Sequence, residues 1–189
     1  VTGFALHLLR HGAPVRPGRL MGRTDDPPTP EGIAACVARA AGLEIKHLVA
    51  SDRQRARRSA DAIGAGLGFT PGIDPRWREL DFGVWDGCDP AAIDPEALAR
   101  FHQDPDAAPP PEGERWSQLT ARVSAAIDAL PPVPTLVVTH GGALRAALHL
   151  LCGFDQRQTW AIDLPYAALL SLRVWPGEDR FAQITGLRT

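Results

Sequence analysis

Apolar positions along the chain fall into two periods. Phe4-Ala5-Leu6-His7-Leu8-Leu9 and Thr135-Leu136-Val137-Val138-Thr139 are near-continuous apolar runs of strand length, the pattern of strands covered on both faces. His47-Leu48-Val49-Ala50 is a shorter run of the same kind. Between these runs the period lengthens to that of a helix. Thr29-Pro30-Glu31 supplies a hydroxyl cap, a proline at the first helical position and an acid in the first turn, so a helix is predicted to about Ala41, with Gly42 stopping it. Ser51-Asp52 opens a second helix carrying residues 53–63, which Gly64 and Gly66 interrupt. Trp116, Leu119, Val123, Ile127 and Leu130 recur at three- and four-residue steps and predict a helix over 114–130, ended by Pro131, Pro132 and Pro134. Residues 143–151 form another, closed by Gly153. Residues 168–175 and 181–187 read as two final strands joined through a hairpin at Pro176-Gly177-Glu178-Asp179. From 70 to 111 periodicity is lost outside a helix at 95–102, and this stretch reads as an excursion from the sheet. The alternation of strands and helices predicts an α/β fold, a mixed sheet with helices on both faces, in one domain spanning 1–189.

Composition narrows the function classes. A formal net charge of -2 offers no bulk attraction to nucleic acid or to an anionic membrane, so neither is expected as a partner. Lys46 is the single lysine among 20 basic residues, which leaves guanidinium groups to bind any oxyanion. Cys36, Cys88 and Cys152 are widely spaced, lack a Cys-x-x-Cys pair and read as packing residues in a reducing compartment. The first apolar run is too short to span a membrane and lacks the flanks of a signal peptide, so a cytoplasmic location is expected.

Two of the strands end in His-Gly, at His11-Gly12 and His140-Gly141, and strand ends are where open α/β sheets bind ligands. The glycine after each histidine leaves room for backbone to approach a ligand. Arg10 precedes His11, a run of arginines occupies Arg53-Gln54-Arg55-Ala56-Arg57-Arg58 past another strand end, and Glu79 lies in Arg78-Glu79-Leu80-Asp81-Phe82-Gly83. Phosphoryl transfer needs such a set: cations around the phosphoryl oxygens, a nucleophile, and a proton donor for the leaving oxygen. A neutral imidazole beside cations can be the nucleophile, because positive neighbours oppose its protonation. Metal binding by His11 and His140 competes with this reading, but no Asp-rich or His-x-His set accompanies them. His7 and His149 lie in apolar patterns and read as structural. Trp77 and Trp85 are expected to pack the excursion, with one of them a candidate for the substrate mouth, and Asp81 and Asp86 to serve the loop.

These segments resemble those of the histidine phosphatase superfamily, which includes the cofactor-dependent phosphoglycerate mutases. Leu8-Leu9-Arg10-His11-Gly12 is similar to its signature, Ser51 to Ala60 to its arginine-bearing segment, Arg78 to Gly87 to its acid-bearing loop, and Val138-Thr139-His140-Gly141-Gly142 completes the set in family order. The resemblance implies a three-layer α/β sandwich with a mostly parallel central sheet. It also implies that His11 attacks phosphorus and becomes a phosphohistidine, that Arg10, Arg55 and His140 hold phosphoryl oxygens with Gly141 beside them, and that Glu79 serves as acid and then base. No metal or other cofactor is required. A bell-shaped pH profile follows, with His11 on its acid limb and Glu79 on its alkaline limb.

Two features set expectations about substrate. Met21-Gly22-Arg23-Thr24-Asp25 resembles the family's substrate-facing loop, which makes Gly22 and Arg23 candidate substrate contacts. The usual polar residues after Arg-His-Gly are replaced by Ala13-Pro14-Val15-Arg16-Pro17, so Arg16, Arg19 or Arg23 are candidates to replace their phosphate contacts. Arg115 stands where the family has a helix-capping serine. Residues 88–111 are short and contain Arg100 as their single Lys or Arg, unlike the longer basic insertion of the mutases. Hydrolysis of a small phosphomonoester is therefore expected, with resemblance to alpha-ribazole phosphatases of cobalamin biosynthesis. The alternatives are a mutase-like phosphotransferase and a catalytically silent phosphate-binding module. Monomer and homodimer both remain open.

Overall fold

The computed structural model describes residues 2–177 and 180–189. Its centre is a six-stranded sheet built from β1 (Phe4–Arg10), β2 (His47–Ala50), β3 (Gly72–Ile73), β4 (Thr135–Thr139), β5 (Leu169–Trp175) and β6 (Phe181–Arg188), in the order β3-β2-β4-β1-β5-β6. The pairings β3-β2, β2-β4 and β4-β1 are parallel, while β5 runs antiparallel to both β1 and β6. Around the sheet lie α1 (Pro30–Ala40), α2 (Gln54–Leu67), α3 (Pro95–Gln103), α4 (Trp116–Asp128) and α5 (Gly141–Cys152).

The near-continuous apolar runs follow from burial on both faces. Leu6 and Leu8, Val49 and Val137 point into a core shared with α4, α5 and the excursion, whereas Leu9, Leu48, Ala50, Leu136 and Val138 point into a second core against α1 and α2. Period-two alternation is thus present, but both phases are apolar. Cys36 belongs to the second core, and burial pushes its thiol up to about 11, so it is an inert packing group.

The helix ends mostly follow the sequence. Thr29 accepts a hydrogen bond from the Gly32 amide at 3.0 Å, and Gly42 takes the left-handed conformation that ends the chain's turn out of α1. Two expectations are corrected. Helix α2 runs through Gly64 and Gly66 and stops at Gly68, which is left-handed (φ 76°) with its amide on Gly64 O. Gly64 is small for a packing reason, since a Cβ there would sit 2.4 Å from Phe69 O. The excursion is also less detached than its composition suggests: residues 72–73 add a short edge strand to β2 before it leaves the sheet. The predicted hairpin turn lies partly outside the described residues, but the strands it joins pair as expected.

Gly12 has a different role from the one its place after His11 suggests. A Cβ on it would lie 2.1 Å from Gly32 O, and a Cβ on Gly32 would lie 2.7 Å from Ala13 N. The loop after β1 is therefore in backbone contact with the first turn of α1. Gly12→Ala should cost about 2 kcal/mol or more of stability by overpacking, read as a lower urea midpoint with unchanged slope.

Candidate active site

The two imidazoles meet because of sheet register. Arg10 of β1 stands opposite Thr139 of the parallel neighbour β4, so the next residues, His11 and His140, leave the sheet side by side. Their ring centroids are 5.0 Å apart. Ser51 leaves the adjoining end of β2, its amide on Val138 O, and its hydroxyl lies 2.9 Å from His140 Nε2. Three neighbouring strand ends thus deliver Ser51, His140 and His11 in a row.

The chemistry of His11 is fixed by its own loop. Its Nδ1 donates to Gly12 O at 2.8 Å, because a carbonyl can only accept, and Nε2 is left as the lone-pair nitrogen. Burial, followed by the charges of Arg55 and Arg10, holds the His11 pKa well below its ordinary value of 6.5, although the bond to Gly12 opposes this. His140 is fully buried and is held down by the same causes, burial first and then Arg55. Its Nδ1 has no hydrogen-bond partner.

Both guanidiniums are anchored by backbone carbonyls. Arg10 donates from Nη1 to Leu164 O at 2.6 Å and stacks over the Tyr166 ring at 4.4 Å. Arg55, in the first turn of α2 and 1% exposed, donates to Met21 O at 2.6 Å and Thr24 O at 2.8 Å. Arg57 and Arg58 face solvent and Arg53 is half-buried, so Arg55 is the buried arginine of the run. The Nε atoms of Arg10 and Arg55 are buried without acceptors. An oxyanion would supply what these cations lack.

Glu79 is seated on the N-terminus of α5. Gly142 N donates to Oε1 at 2.9 Å and to Oε2 at 3.1 Å, and Leu80 N donates to Oε1 at 2.8 Å, so Oε2 is the oxygen with capacity to spare. The seat requires glycine, because a Cβ on Gly142 would sit 2.1 Å from Oε1. Behind it, Arg122 donates to the carbonyls of Arg76, Arg78 and Glu79 and pairs with Glu114, which also accepts from Asp81 N. Thr139 Oγ1 holds Trp77 O at 2.6 Å. The acid loop is pinned from both sides.

Arg10, His11, Arg55, Glu79 and Gly141 line one cavity of about 210 Å³, together with Arg19, Tyr166, Arg145 and an apolar wall that includes Phe82, Phe101, Trp116 and Trp160. Gly22 and Arg23 do not line it. They border a separate polar depression, where Arg23 pairs with Asp81 at 2.9 Å, and a Cβ on Gly22 would meet Leu80 O at 2.3 Å. Arg16 is engaged by Asp26. Of the three arginines expected to replace the missing loop contacts, Arg19 is the one at the cavity. Asp86 serves the loop as expected, accepting from the amides of Gly22, Arg23 and Thr24. Trp77 and Trp85 are buried packing residues, and the tryptophans at the cavity are Trp116 and Trp160. Tyr166, Arg145 and His102 carry no short motif, whereas Ser51 opens the arginine-bearing segment but is not singled out by it. The one usable signal was positional: Arg145 lies one helical turn beyond Gly141 and Gly142, on the same face. Among the described residues no group of three or more His, Cys, Asp or Glu side chains is placed to hold a metal ion, and no helix is long and apolar enough to cross a membrane.

Fold and site define a class: an α/β protein whose strand ends bring imidazoles, guanidiniums and one carboxylate together for phosphoryl chemistry. The chain belongs to the histidine phosphatase superfamily (branch 1), whose family model matches residues 6–185. It is 34% identical over 160 residues to a probable phosphoglycerate mutase of Yersinia pestis, covering 78% of this chain and 74% of that one. A mycobacterial glucosyl-3-phosphoglycerate phosphatase is similar in structure, with a TM-score of 0.85, 26% identity and coverage of 96% of each chain. An Escherichia coli structure described as a candidate alpha-ribazole-5'-P phosphatase shares the fold, with a TM-score of 0.82 at 23% identity over 98% of this chain and 96% of that one.

Because His11 and His140 are held neutral in the folded state, the unfolded chain binds more protons below pH 6.5. Stability should therefore fall as pH drops below about 6.5 and level off above it. Unfolding free energies measured from pH 5 to 8 should show this slope, and His140→Asn should flatten it. Gly142→Ala should displace the Glu79 carboxylate and lower turnover by about 100-fold or more, with phosphate binding less affected.

Proposed function

We propose that the protein is a phosphomonoester hydrolase that works through a phosphohistidine on a small phosphorylated metabolite. The observation that carries this reading is the His11 ring, neutral, with Nδ1 committed to Gly12 O and Nε2 at a cavity lined by Arg10, Arg55 and Glu79. In the first step the Nε2 lone pair of His11 attacks phosphorus and the ester P–O bond breaks. The leaving oxygen takes a proton from Glu79 Oε2, while Arg10, Arg55 and His140 stabilise the phosphoryl oxygens. In the second step Glu79 accepts a proton from water, whose oxygen attacks phosphorus as the N–P bond breaks, and inorganic phosphate leaves with His11 neutral again.

Hydrolysis is favoured over mutase action by what the excursion brings to the cavity. A mutase must retain a bisphosphorylated intermediate, and the mutases of this family have for it a longer insertion after the acid-bearing loop with extra basic and tyrosine residues. Here residues 88–111 contribute Phe101, His102 and Pro105, while Arg100 lies off the cavity beside Glu96. Alpha-ribazole phosphate is one candidate substrate, supported by resemblance and by the open apolar wall suited to a non-sugar group. A small phosphorylated metabolite is the expected partner, and the site calls for no cofactor.

Turnover of p-nitrophenyl phosphate should persist in EDTA, and an acid-labile, base-stable phosphate should be trapped on His11. Activity lost to chelation, or retained in His11→Ala, would overturn the mechanism. The absence of turnover on every phosphoester, with phosphate still bound, would favour the silent module. A phosphate panel including alpha-ribazole phosphate and 3-phosphoglycerate separates the substrate readings.

A further inference from the structure

Among the described residues, Arg145 is a cation at the cavity whose guanidinium has no acceptor. It is half-buried on α5, one turn after Gly141 and Gly142, and it lines the same cavity as His11. No nitrogen of its guanidinium has a hydrogen-bond acceptor among the described residues, its Nε is fully shielded, and no carboxylate lies within 4.0 Å of it. Glu79 and Asp163 are the nearby acids that attract it, but neither accepts a hydrogen bond from it. Its one defined contact is a stack, with the guanidinium carbon 4.0 Å from the Trp160 ring centroid. Trp160 is in turn edge-on to His102 at 6.0 Å. Partial burial of a charge without hydrogen bonds is costly, and the stack offsets only part of that cost. What the stack does achieve is orientation, since it occupies a face of the guanidinium and leaves the N–H edge for an oxyanion.

The remaining wall gives the character of whatever brings that oxyanion. The cavity that holds His11 and Arg145 is also lined by Leu80, Phe82, Phe101, Trp116 and Leu119, side chains that favour an apolar or aromatic body. Residues one turn apart on a helix have side-chain origins about 5–6 Å apart, the span of a small ring or short chain. We propose that Arg145, oriented by Trp160, is a second anion subsite that selects phosphomonoesters whose leaving group has an apolar or aromatic body bearing a carboxylate. This rests on the phosphatase reading for its substrate sense, but the subsite itself is a matter of binding.

The test uses phosphonates, whose C–P bond the proposed chemistry does not cleave. Calorimetry would compare phenylphosphonate with its 3- and 4-carboxy derivatives, alongside hydrolysis of phenyl phosphate. A charged hydrogen bond adds about 1.5–3 kcal/mol, so the better carboxylated ligand should bind about 10- to 100-fold tighter. Arg145→Gln should reduce that ratio to about 1, Arg145→Lys should keep part of it, and Trp160→Leu should lower it without abolishing it. Equal binding of all three ligands by the unaltered protein would overturn the subsite, as would Arg145→Gln weakening every phosphonate alike. If Arg145→Gln fails to fold, the Lys and Leu variants decide: a ratio unchanged in both overturns the proposal. A carboxylate preference without hydrolysis of any phosphoester would leave the subsite standing and remove the phosphatase reading.

Discussion

Positive charge concentrated at the ends of three parallel strands is the condition on which the rest of this molecule depends. Arg10, Arg55, Arg19 and Arg145 all reach a cavity in which Glu79 is the one carboxylate among the lining residues. Such a cluster is tolerable only if the imidazoles among it stay uncharged and the guanidiniums find oxygen elsewhere. Burial meets the first for His11 and His140, and backbone meets the second for Arg10 and Arg55. The carbonyls of Leu164, Met21 and Thr24 accept from Arg10 and Arg55, and the carbonyl of Gly12 holds the proton of His11 on Nδ1. Segments far apart in sequence are tied to the cation cluster by these bonds, so the loops that shape the cavity and the groups proposed to hold phosphate are parts of one network.

The acid shows the same economy of means. Glu79 lies on a loop with little regular structure, yet its carboxylate is placed by the free amide of a helix N-terminus and its backbone by Arg122. Arg122 reaches the carbonyls of Arg76, Arg78 and Glu79 in that loop and is neutralised by Glu114. Neither Arg122 nor Glu114 touches the cavity that His11 lines. Their effect on chemistry is positional, through the seat of Glu79 on Gly142.

How legible this was in the sequence depends on the range of the interaction. Strands β1 and β4 were readable because burial on both faces leaves an apolar run, and α1 because Thr29, Pro30 and Gly42 act locally. The same local logic failed at Gly64 and Gly66, where a residue that weakens an isolated helix serves to admit the returning chain at Phe69. Motif and family resemblance single out Arg10, His11, Arg55, Glu79 and His140, which the structure brings close together, and register explains why two of them sit side by side. Arg145, Tyr166 and His102 are not singled out, since nothing in their neighbours' sequence says which wall of a cavity they will reach. Arg23 shows the opposite case: its loop resembles a substrate-facing one, and Asp81 pairs with its side chain at a depression apart from the cavity of His11.

Helix α4 illustrates how a missing local signal is replaced from a distance. Arg115 cannot cap as serine would, and the exposed first-turn amide of Ser117 is instead satisfied by Asp106 at 2.7 Å, while Gln118 takes the amide of Arg115. Asp106 belongs to the segment that follows α3 and borders the cavity through its neighbour Pro105. The start of the helix that carries Arg122 is therefore completed by the segment that forms the cavity's outer wall. Exchanging that segment for a longer or differently charged one, as a change of substrate would invite, would also uncap α4 and loosen the support of the acid. In this chain the outer wall and the catalytic brace are not separable modules, and any lineage that remodels the first must restore a cap to the second.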